Sequence, residues 1–402
     1  MLSRNTTLTI ITKFLILLAN FGLVLFTTRT WGSEGRGEIA LVIANVAFIL
    51  VFSNVFCGST IAYHAPSLHR NLLLNISLAG ALIISISGAI IFSLIFGSGY
   101  FWPLFMISLL MSLTSAISTY WLGKNNIKNY NLLTLLNPLF ILASLVVLYF
   151  IFKKTALNTI YLAYYTGLCI VLLIGIAGLS GKEAFKAPKI VFSEIKSILR
   201  YGVNNEFNYL IQFLNYRLSY YFIASMLGLS ELGIFSIAAS VSEAVWIISR
   251  SMSAIHFSNV INSDDYLKSR KETTVFAKQS FWISSLILCV LVLIPQQVYR
   301  FIFGDEFGYV RTLIIYLLPG IIAISLSNLY EQYFSGKGEL KVIRNKSLCG
   351  LAATLILLPL LIRKYQLAGV CITLNVSYII SSFYLWLSFR KDGKTGNLKA
   401  SG

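Results

Sequence analysis

The sequence predicts an all-α polytopic membrane protein with about twelve transmembrane helices in two six-helix lobes related by a pseudo-twofold axis. Three observations predict it. Apolar residues make up 57% of the chain and charged ones only 12%, with a mean hydropathy of +0.77. The apolar residues fall into runs long enough to cross a bilayer, separated by short polar breaks. Two turn motifs recur at corresponding places in the two halves.

A soluble domain is about 45–50% apolar and about a quarter charged, so this chain cannot hide its apolar surface in one aqueous core. A hydrocarbon layer of about 30 Å needs about 20 apolar helical residues. Such runs lie at 7–30, 37–62, 72–96, 99–122, 131–152, 157–179, 203–226, 232–258, 276–296, 310–334, 346–363 and 366–389. The first continues from Thr7 to Phe26 without a small-residue cleavage site, which predicts a retained span, not a removed signal. Tight connections such as Gly97-Ser98-Gly99 and Leu227 to Glu231 force antiparallel neighbours. The organisation expected is an N-lobe over 1–180, a linker over 181–202, a C-lobe over 203–389 and a disordered tail over 390–402. In the linker, Val191, Ile195, Ile198 and Leu199 share one helical face, as in an amphipathic helix lying on the membrane surface.

Lys and Arg set the orientation. With the N-terminus inside, the cytoplasmic breaks hold 21 of the 32 basic residues and the opposite breaks eight, which places both termini in the cytoplasm. The net charge of +17 forms no continuous face or stripe, and nucleic acid is excluded as a partner. The five cysteines form neither a CxxC pair nor an even framework, and no metal site is implied.

The turn after the first span reads Gly32-Ser33-Glu34-Gly35-Arg36-Gly37, and the turn after the seventh reads Gly228-Leu229-Ser230-Glu231-Leu232-Gly233. The fourth span ends in Tyr120-Trp121-Leu122-Gly123-Lys124 and the tenth in Tyr333-Phe334-Ser335-Gly336-Lys337. Glycine suits a helix C-terminus, and lysine there meets both the helix dipole and the cytoplasmic side. Six spans per repeat preserve orientation, so the lobes should be related by an axis along the membrane normal, with a site between them.

The remaining three basic residues, Lys13, Arg217 and Arg250, lie within spans, where a charge costs about 2.5–3.5 kcal/mol at the bilayer centre. Lys13 belongs to a polar stripe with Thr6, Asn20 and Thr27, and either snorkels to the interface or faces a cavity. Span seven carries an amide stripe, Asn204, Asn208, Gln212 and Asn215, with Arg217 and Glu206 on the other side and Tyr209, Tyr216, Tyr220 and Tyr221 flanking. Interhelical hydrogen bonding and ligand binding both account for the amides. In span eight, Ser236, Glu243 and Arg250 recur every seven residues on one face. Glu243 and Arg250 stand two turns apart, about 10 Å, so each needs a partner elsewhere or a water-filled cavity. Pro319-Gly320 in mid-span ten predicts a kink or broken helix, hence a hinge.

No HExxH, Walker loop, GxSxG or paired-carboxylate motif is present, and no soluble segment is large enough for an ATP-binding domain. A transporter without cofactors is expected, not an enzyme. A membrane-embedded glycan ligase or polymerase would carry a large outer loop, and the longest outer break here, 296–310, is about fifteen residues.

The segments Thr28-Arg29-Thr30-Trp31-Gly32 through Gly37, Arg200-Tyr201-Gly202, Asn215-Tyr216-Arg217, Glu231 to Ser236, Leu318-Pro319-Gly320 and Tyr333 to Gly338 resemble, in order and spacing, the O-antigen (Wzx-type) polysaccharide flippases of the multidrug/oligosaccharidyl-lipid/polysaccharide exporter superfamily. The resemblance covers nearly the whole chain. It departs at Ser219, where many relatives place an acidic residue just after the arginine. It implies a two-lobe fold with a central cavity, alternating access, and an undecaprenyl-diphosphate-linked glycan moved from the cytoplasmic to the periplasmic leaflet. Membrane lipids and other glycan-assembly proteins would be its partners. On this reading Lys13, Arg29, Arg217 and Arg250 are cavity cations for the diphosphate, because guanidinium offers a forked donor pair to phosphate. Asn20, Asn208, Gln212, Asn215, Tyr216 and Tyr220 would meet the sugars. Glu243 and Glu206 are candidates for coupling to H+ or Na+. The alternative is a cation-coupled multidrug antiporter of the same superfamily, which would favour acidic cavity residues.

Overall fold

The computed structural model describes residues 4–179, 192–261 and 266–400, and among them there are thirteen α-helices and no strand. In chain order these are α1 (Arg4–Ser53), α2 (Gly58–His64), α3 (Arg70–Phe96), α4 (Phe101–Gly123), α5 (Ile127–Val146), α6 (Thr159–Leu179) and α7 (Phe192–Met226), followed by α8 (Leu229–Ala244), α9 (Trp246–Ile261), α10 (Tyr266–Leu293), α11 (Gln296–Phe303), α12 (Val310–Gly336) and α13 (Leu340–Ala400).

Eight helical stretches are long and apolar enough to cross a bilayer. Two of them, Ile11–His64 and Leu340–Asp392, have 54 and 53 residues, enough for two crossings each. Gly32 (φ 63°) interrupts the first and Gln366 (φ 50°) the second, at the places where the sequence ends one span and begins the next. The other two crossings are α7, too polar to meet the apolar criterion, and the α8–α9 pair, whose helices have 16 residues each. The chain is a multi-pass membrane protein, and Arg217, Glu243 and Arg250 lie on α7 and the α8–α9 pair.

Several boundaries differ from the sequence reading. Residues 181–191 of the expected linker lie outside the described residues; from Phe192 onward the linker is the first part of α7. The outer break at 296–310 contains α11, whose Tyr299 and Phe303 are buried. The tail expected to be disordered from residue 390 continues as helix to Ala400. Its start is tied down: Arg270 donates to the Phe389 carbonyl at 2.5 Å, and Asp392 accepts from Tyr333 at 2.6 Å and from Lys337 at 3.0 Å. Span eight breaks in two at Val245, and α12 runs unbroken through Pro319.

Backbone contacts divide the chain into two compact units. Unit 1 is Met1–Trp31 with Leu41–Leu210, and unit 2 is Gly32–Ala40 with Ile211–Gly402. The first part of α7 thus belongs to unit 1, and the turn after span one belongs to unit 2.

In unit 1, α4 packs between α3, α6 and the α2 segment around Cys57, Ile61, Leu73, Ile117 and Leu133. In unit 2, α12 is central and packs against α8, α9, α10 and α13. The recurrent glycine caps make comparable contacts in the two units. A Cβ on Gly123 would lie 2.4 Å from the Ala62 carbonyl oxygen, and one on Gly336 would lie 2.7 Å from Val260 Cγ1. Small residues at such crossings let helices approach closely where no hydrophobic effect drives them together.

Candidate functional site

The site is built on the polar faces of α7, α8 and α9 in unit 2. Arg217 Nη1 donates to Glu243 Oε1 at 2.8 Å and Nη2 to Oε2 at 3.0 Å, a forked pair that satisfies both carboxylate oxygens. The Arg217 and Glu243 side chains remain 30% and 23% exposed. The Tyr220 ring lies 4.9 Å from the guanidinium carbon. Glu243, two turns from Arg250 on its own face, therefore takes its partner from α7. The resemblance placed such pairing within span seven, where Ser219 now stands; the carboxylate comes from α8 instead.

Next along this face is an aromatic cluster. Trp246 and Tyr216 have ring centroids 5.4 Å apart, and Tyr378 lies 5.9 Å from Tyr216 and 6.0 Å from Trp246. Trp246 is fully buried, its Nε1–H donating to the Ile321 carbonyl at 3.3 Å. Together with Glu243 and aliphatic residues of α12 and α13, these rings line a narrow cleft. Arg250 lies 5.7 Å from the Trp246 ring, exposed, and no carboxylate is paired with it among the described residues.

A second pair lies close by, between α12 and α13. Lys346 Nζ donates to Glu331 Oε2 at 2.7 Å, and the Lys346 side chain is 5% exposed. Lys346 and Arg250 are both within electrostatic reach of the Tyr216 hydroxyl. Lys346 opens the apolar run 346–363, where the sequence alone does not show that it pairs inward with Glu331. The available signal was a carboxylate inside the apolar run 310–334.

The amides divide between roles. Asn215 Nδ2 donates to the Ser347 carbonyl at 2.7 Å, an interhelical bond, while its Oδ1 is buried without a partner. At the expected hinge, Asn375 enters the ladder of α12: its Oδ1 accepts from Gly320 N–H at 2.8 Å and its Nδ2 donates to Tyr316 C=O at 2.6 Å. Those are the two groups that an i→i−4 bond would join, so Asn375 replaces that bond beside Pro319 and the helix continues.

Unit 1 has a different character. Asn20, Asn137 and Tyr164 supply polar groups to an otherwise aliphatic cavity of about 280 Å³, and Asn137 Oδ1 is buried without a partner. No charged residue lines it. Lys13 and Arg29 are exposed on α1, and Asn208 is half-buried with an unpartnered Oδ1. Glu206 is buried, accepting from Asn205 Nδ2 at 2.9 Å and from the Ser59 hydroxyl at 3.4 Å, without a basic partner among the described residues.

No protein-family model matches the chain, and no curated protein sequence does. Solved structures do. The lipid II flippase MurJ in an inward closed conformation superposes with a TM-score of 0.73 at 13% identity, covering 96% of this chain and 87% of that one. A multidrug resistance MATE family transporter of the MOP superfamily, inward-facing, superposes with a TM-score of 0.72 at 15% identity over 96% of each chain. A MOP superfamily transporter from Pyrococcus furiosus, described as having a binding pocket of reverse polarity that suggests a different function, gives 0.59 at 14% identity over 96% and 94%. The chain has the fold of MOP superfamily transporters.

Proposed function

We propose that this protein is a flippase that carries an undecaprenyl-diphosphate-linked oligosaccharide, such as an O-antigen unit, from the cytoplasmic to the periplasmic leaflet of a bacterial inner membrane by alternating access. One observation carries the reading: among the described residues of unit 2 the carboxylates Glu243 and Glu331 are each taken up by a cation, and Arg250 remains over Trp246 with no paired carboxylate. An uncompensated guanidinium at a transmembrane aromatic cluster favours an anionic cargo. The diphosphate would engage Arg250 and Arg217, the lipid tail would stay in the bilayer, and sugars would meet Tyr216, Tyr220 and Gln212. Lys13 and Arg29 are further candidate cations. The fold is shared with a lipid II flippase, which supports this cargo class.

Replacing Arg217 or Arg250 with alanine should abolish surface glycan display and leave lipid-linked intermediate on the cytoplasmic side, with the protein still inserted. Normal display in both single variants would refute the assignment. A second reading, a cation-coupled drug antiporter, draws on the drug-exporter likeness and on Glu206, a buried carboxyl without a basic partner among the described residues. Resistance of an expressing strain to cationic dyes, lost on Glu206→Gln, would favour it. On either reading Glu206 is the better coupling candidate, because Glu243 is already held by Arg217.

A further inference from the structure

The two glycine-rich turns that recur in the sequence meet each other inside unit 2. A Cβ on Gly37 would lie 1.8 Å from the Leu229 carbonyl oxygen, and one on Gly233 would lie 1.9 Å from the Ser33 carbonyl oxygen. The contact is reciprocal: each turn lays its glycine on the other's backbone, at a distance no side chain permits. Hydrogen bonds close the clasp. Ser33 and Ser230 share a bond between hydroxyls at 2.7 Å, and Ser33 N–H donates to Glu306 Oε2 at 2.7 Å. Gly32, at φ 63°, lets the chain turn into the clasp from the end of the first span.

Arg36 sits in this turn, one residue before Gly37, and its Nε donates to Ser236 Oγ at 3.3 Å. Ser236 is the first of three positions, with Glu243 and Arg250, that recur every seven residues along α8 and α9. Val245 between the two helices keeps helical dihedrals (φ −60°, ψ −31°), so the face carries across the break. Each interval is two turns, about 10 Å. Arg36 also lies within electrostatic reach of the Tyr220 hydroxyl, whose ring covers Arg217. Guanidinium groups thus stand at three successive levels of one face: Arg250 by Trp246, Arg217 on Glu243, and Arg36 on Ser236.

We propose that Arg36 is the outer step of a three-rung guanidinium ladder, receiving the cargo's diphosphate after Arg217, and that the Gly37–Gly233 clasp is what brings this loop arginine onto the ladder. The inference rests on the reading of the cargo as a lipid diphosphate. Arg36 makes its contribution after binding: Arg250 and Arg217 capture the diphosphate, and Arg36 draws it outward. A surface arginine that only anchored the turn would affect folding and nothing in the transfer.

The test uses the full chain reconstituted in vesicles, with fluorescent undecaprenyl diphosphate as probe. Binding and transbilayer movement are measured separately, and folding is followed by thermal unfolding of the purified protein. In Arg36→Gln, binding should stay within about threefold of wild type while movement falls at least tenfold. Arg217→Ala should lose binding itself. Movement at the wild-type rate in Arg36→Gln, or a loss of binding as large as in Arg217→Ala, would overturn the ladder while leaving the flippase reading intact. A wild-type protein that neither binds nor moves the probe would instead remove that reading. If Arg36→Gln does not fold, Arg36→Lys keeps the charge but loses the fork and the Ser236 bond; it should show an intermediate rate, and an unchanged one overturns the proposal.

Discussion

Glu243→Ala isolates the ion pair at the centre of unit 2. The variant leaves the Arg217 guanidinium in a transmembrane helix without its forked acceptor. Two unit charges whose centres lie about 4 Å apart attract by about 4 kcal/mol at an effective dielectric of 20. Removing one partner of a buried pair costs about 3–5 kcal/mol. Two features pull the cost to the lower end: Arg217 is 30% exposed, and the Tyr220 face 4.9 Å away retains about 1 kcal/mol of cation–π attraction. The expected loss is about 3 kcal/mol. Arg217→Met should cost less, because a carboxyl left alone can take up a proton and a guanidinium cannot release one. The double variant Arg217→Met/Glu243→Ala removes both charges and should be more stable than Glu243→Ala. Unfolding in detergent, followed by intrinsic fluorescence, measures the cycle, and the expected coupling is about 2–3 kcal/mol. Single losses that sum to the double within about 0.5 kcal/mol would refute the reasoning, since the pair would then contribute nothing beyond its separate parts. The stable double variant should still fail to display surface glycan, which separates the fold's need for neutrality from the cargo's need for Arg217.

Gly37→Ala and Gly233→Ala each drive a methyl into a carbonyl at 1.8–1.9 Å, and either should sharply lower the yield of monodisperse protein on size-exclusion chromatography. Asn375→Leu leaves Gly320 N–H and Tyr316 C=O without the side chain that bridges them, at about 1–3 kcal/mol for each group left unsatisfied, read as a lower melting temperature. Glu306 lies outside the spans, and the Ser33 hydroxyl and N–H hold its carboxyl below the ordinary value of 4.5. Its contribution is therefore complete above that value and lost as pH falls through the depressed one. The melting temperature of wild type should fall more steeply below pH 4.5 than that of Glu306→Gln, by a small margin because the group is largely solvated.

Hydropathy made the spans legible because lipid imposes a length and a composition on each crossing. The same pressure made Arg217, Glu243 and Arg250 stand out. Helical periodicity was enough to show that Glu243 and Arg250 share a face and are too far apart to pair. It was silent on the partner, because the Arg217–Glu243 bond joins residues 26 apart through the packing of two helices. The pairing of Lys346 is hidden for a related reason. At the edge of an apolar run, a lysine that snorkels and a lysine that pairs inward read alike, and only Glu331 on α12 decides between them. Pro319-Gly320 reads as a break until Asn375, 55 residues on, supplies the missing hydrogen bonds. The glycine turns were visible as a recurring pattern, but nothing in either one shows that they pack on each other.

On the flippase reading, the carboxylates explain how a cationic path can exist without trapping its cargo. A row of bare guanidiniums would cost about 2.5–3.5 kcal/mol each in the empty protein and would bind a diphosphate too tightly to release it. A resident carboxylate lessens both problems. Glu243 neutralises Arg217 when no cargo is present, and a phosphate arriving there must displace it, so the net gain is the difference between two forked bonds and not the whole of one. Arg250 has the Trp246 face and no paired carboxylate among the described residues and is the natural point of capture; Arg217 is the exchange step. Movement past that rung then depends on Arg217 holding the cargo only slightly better than it holds Glu243. Glu243→Gln should therefore tighten lipid-diphosphate binding and slow its movement, because it removes the competitor while keeping the shape. Tighter binding with faster movement would contradict the exchange.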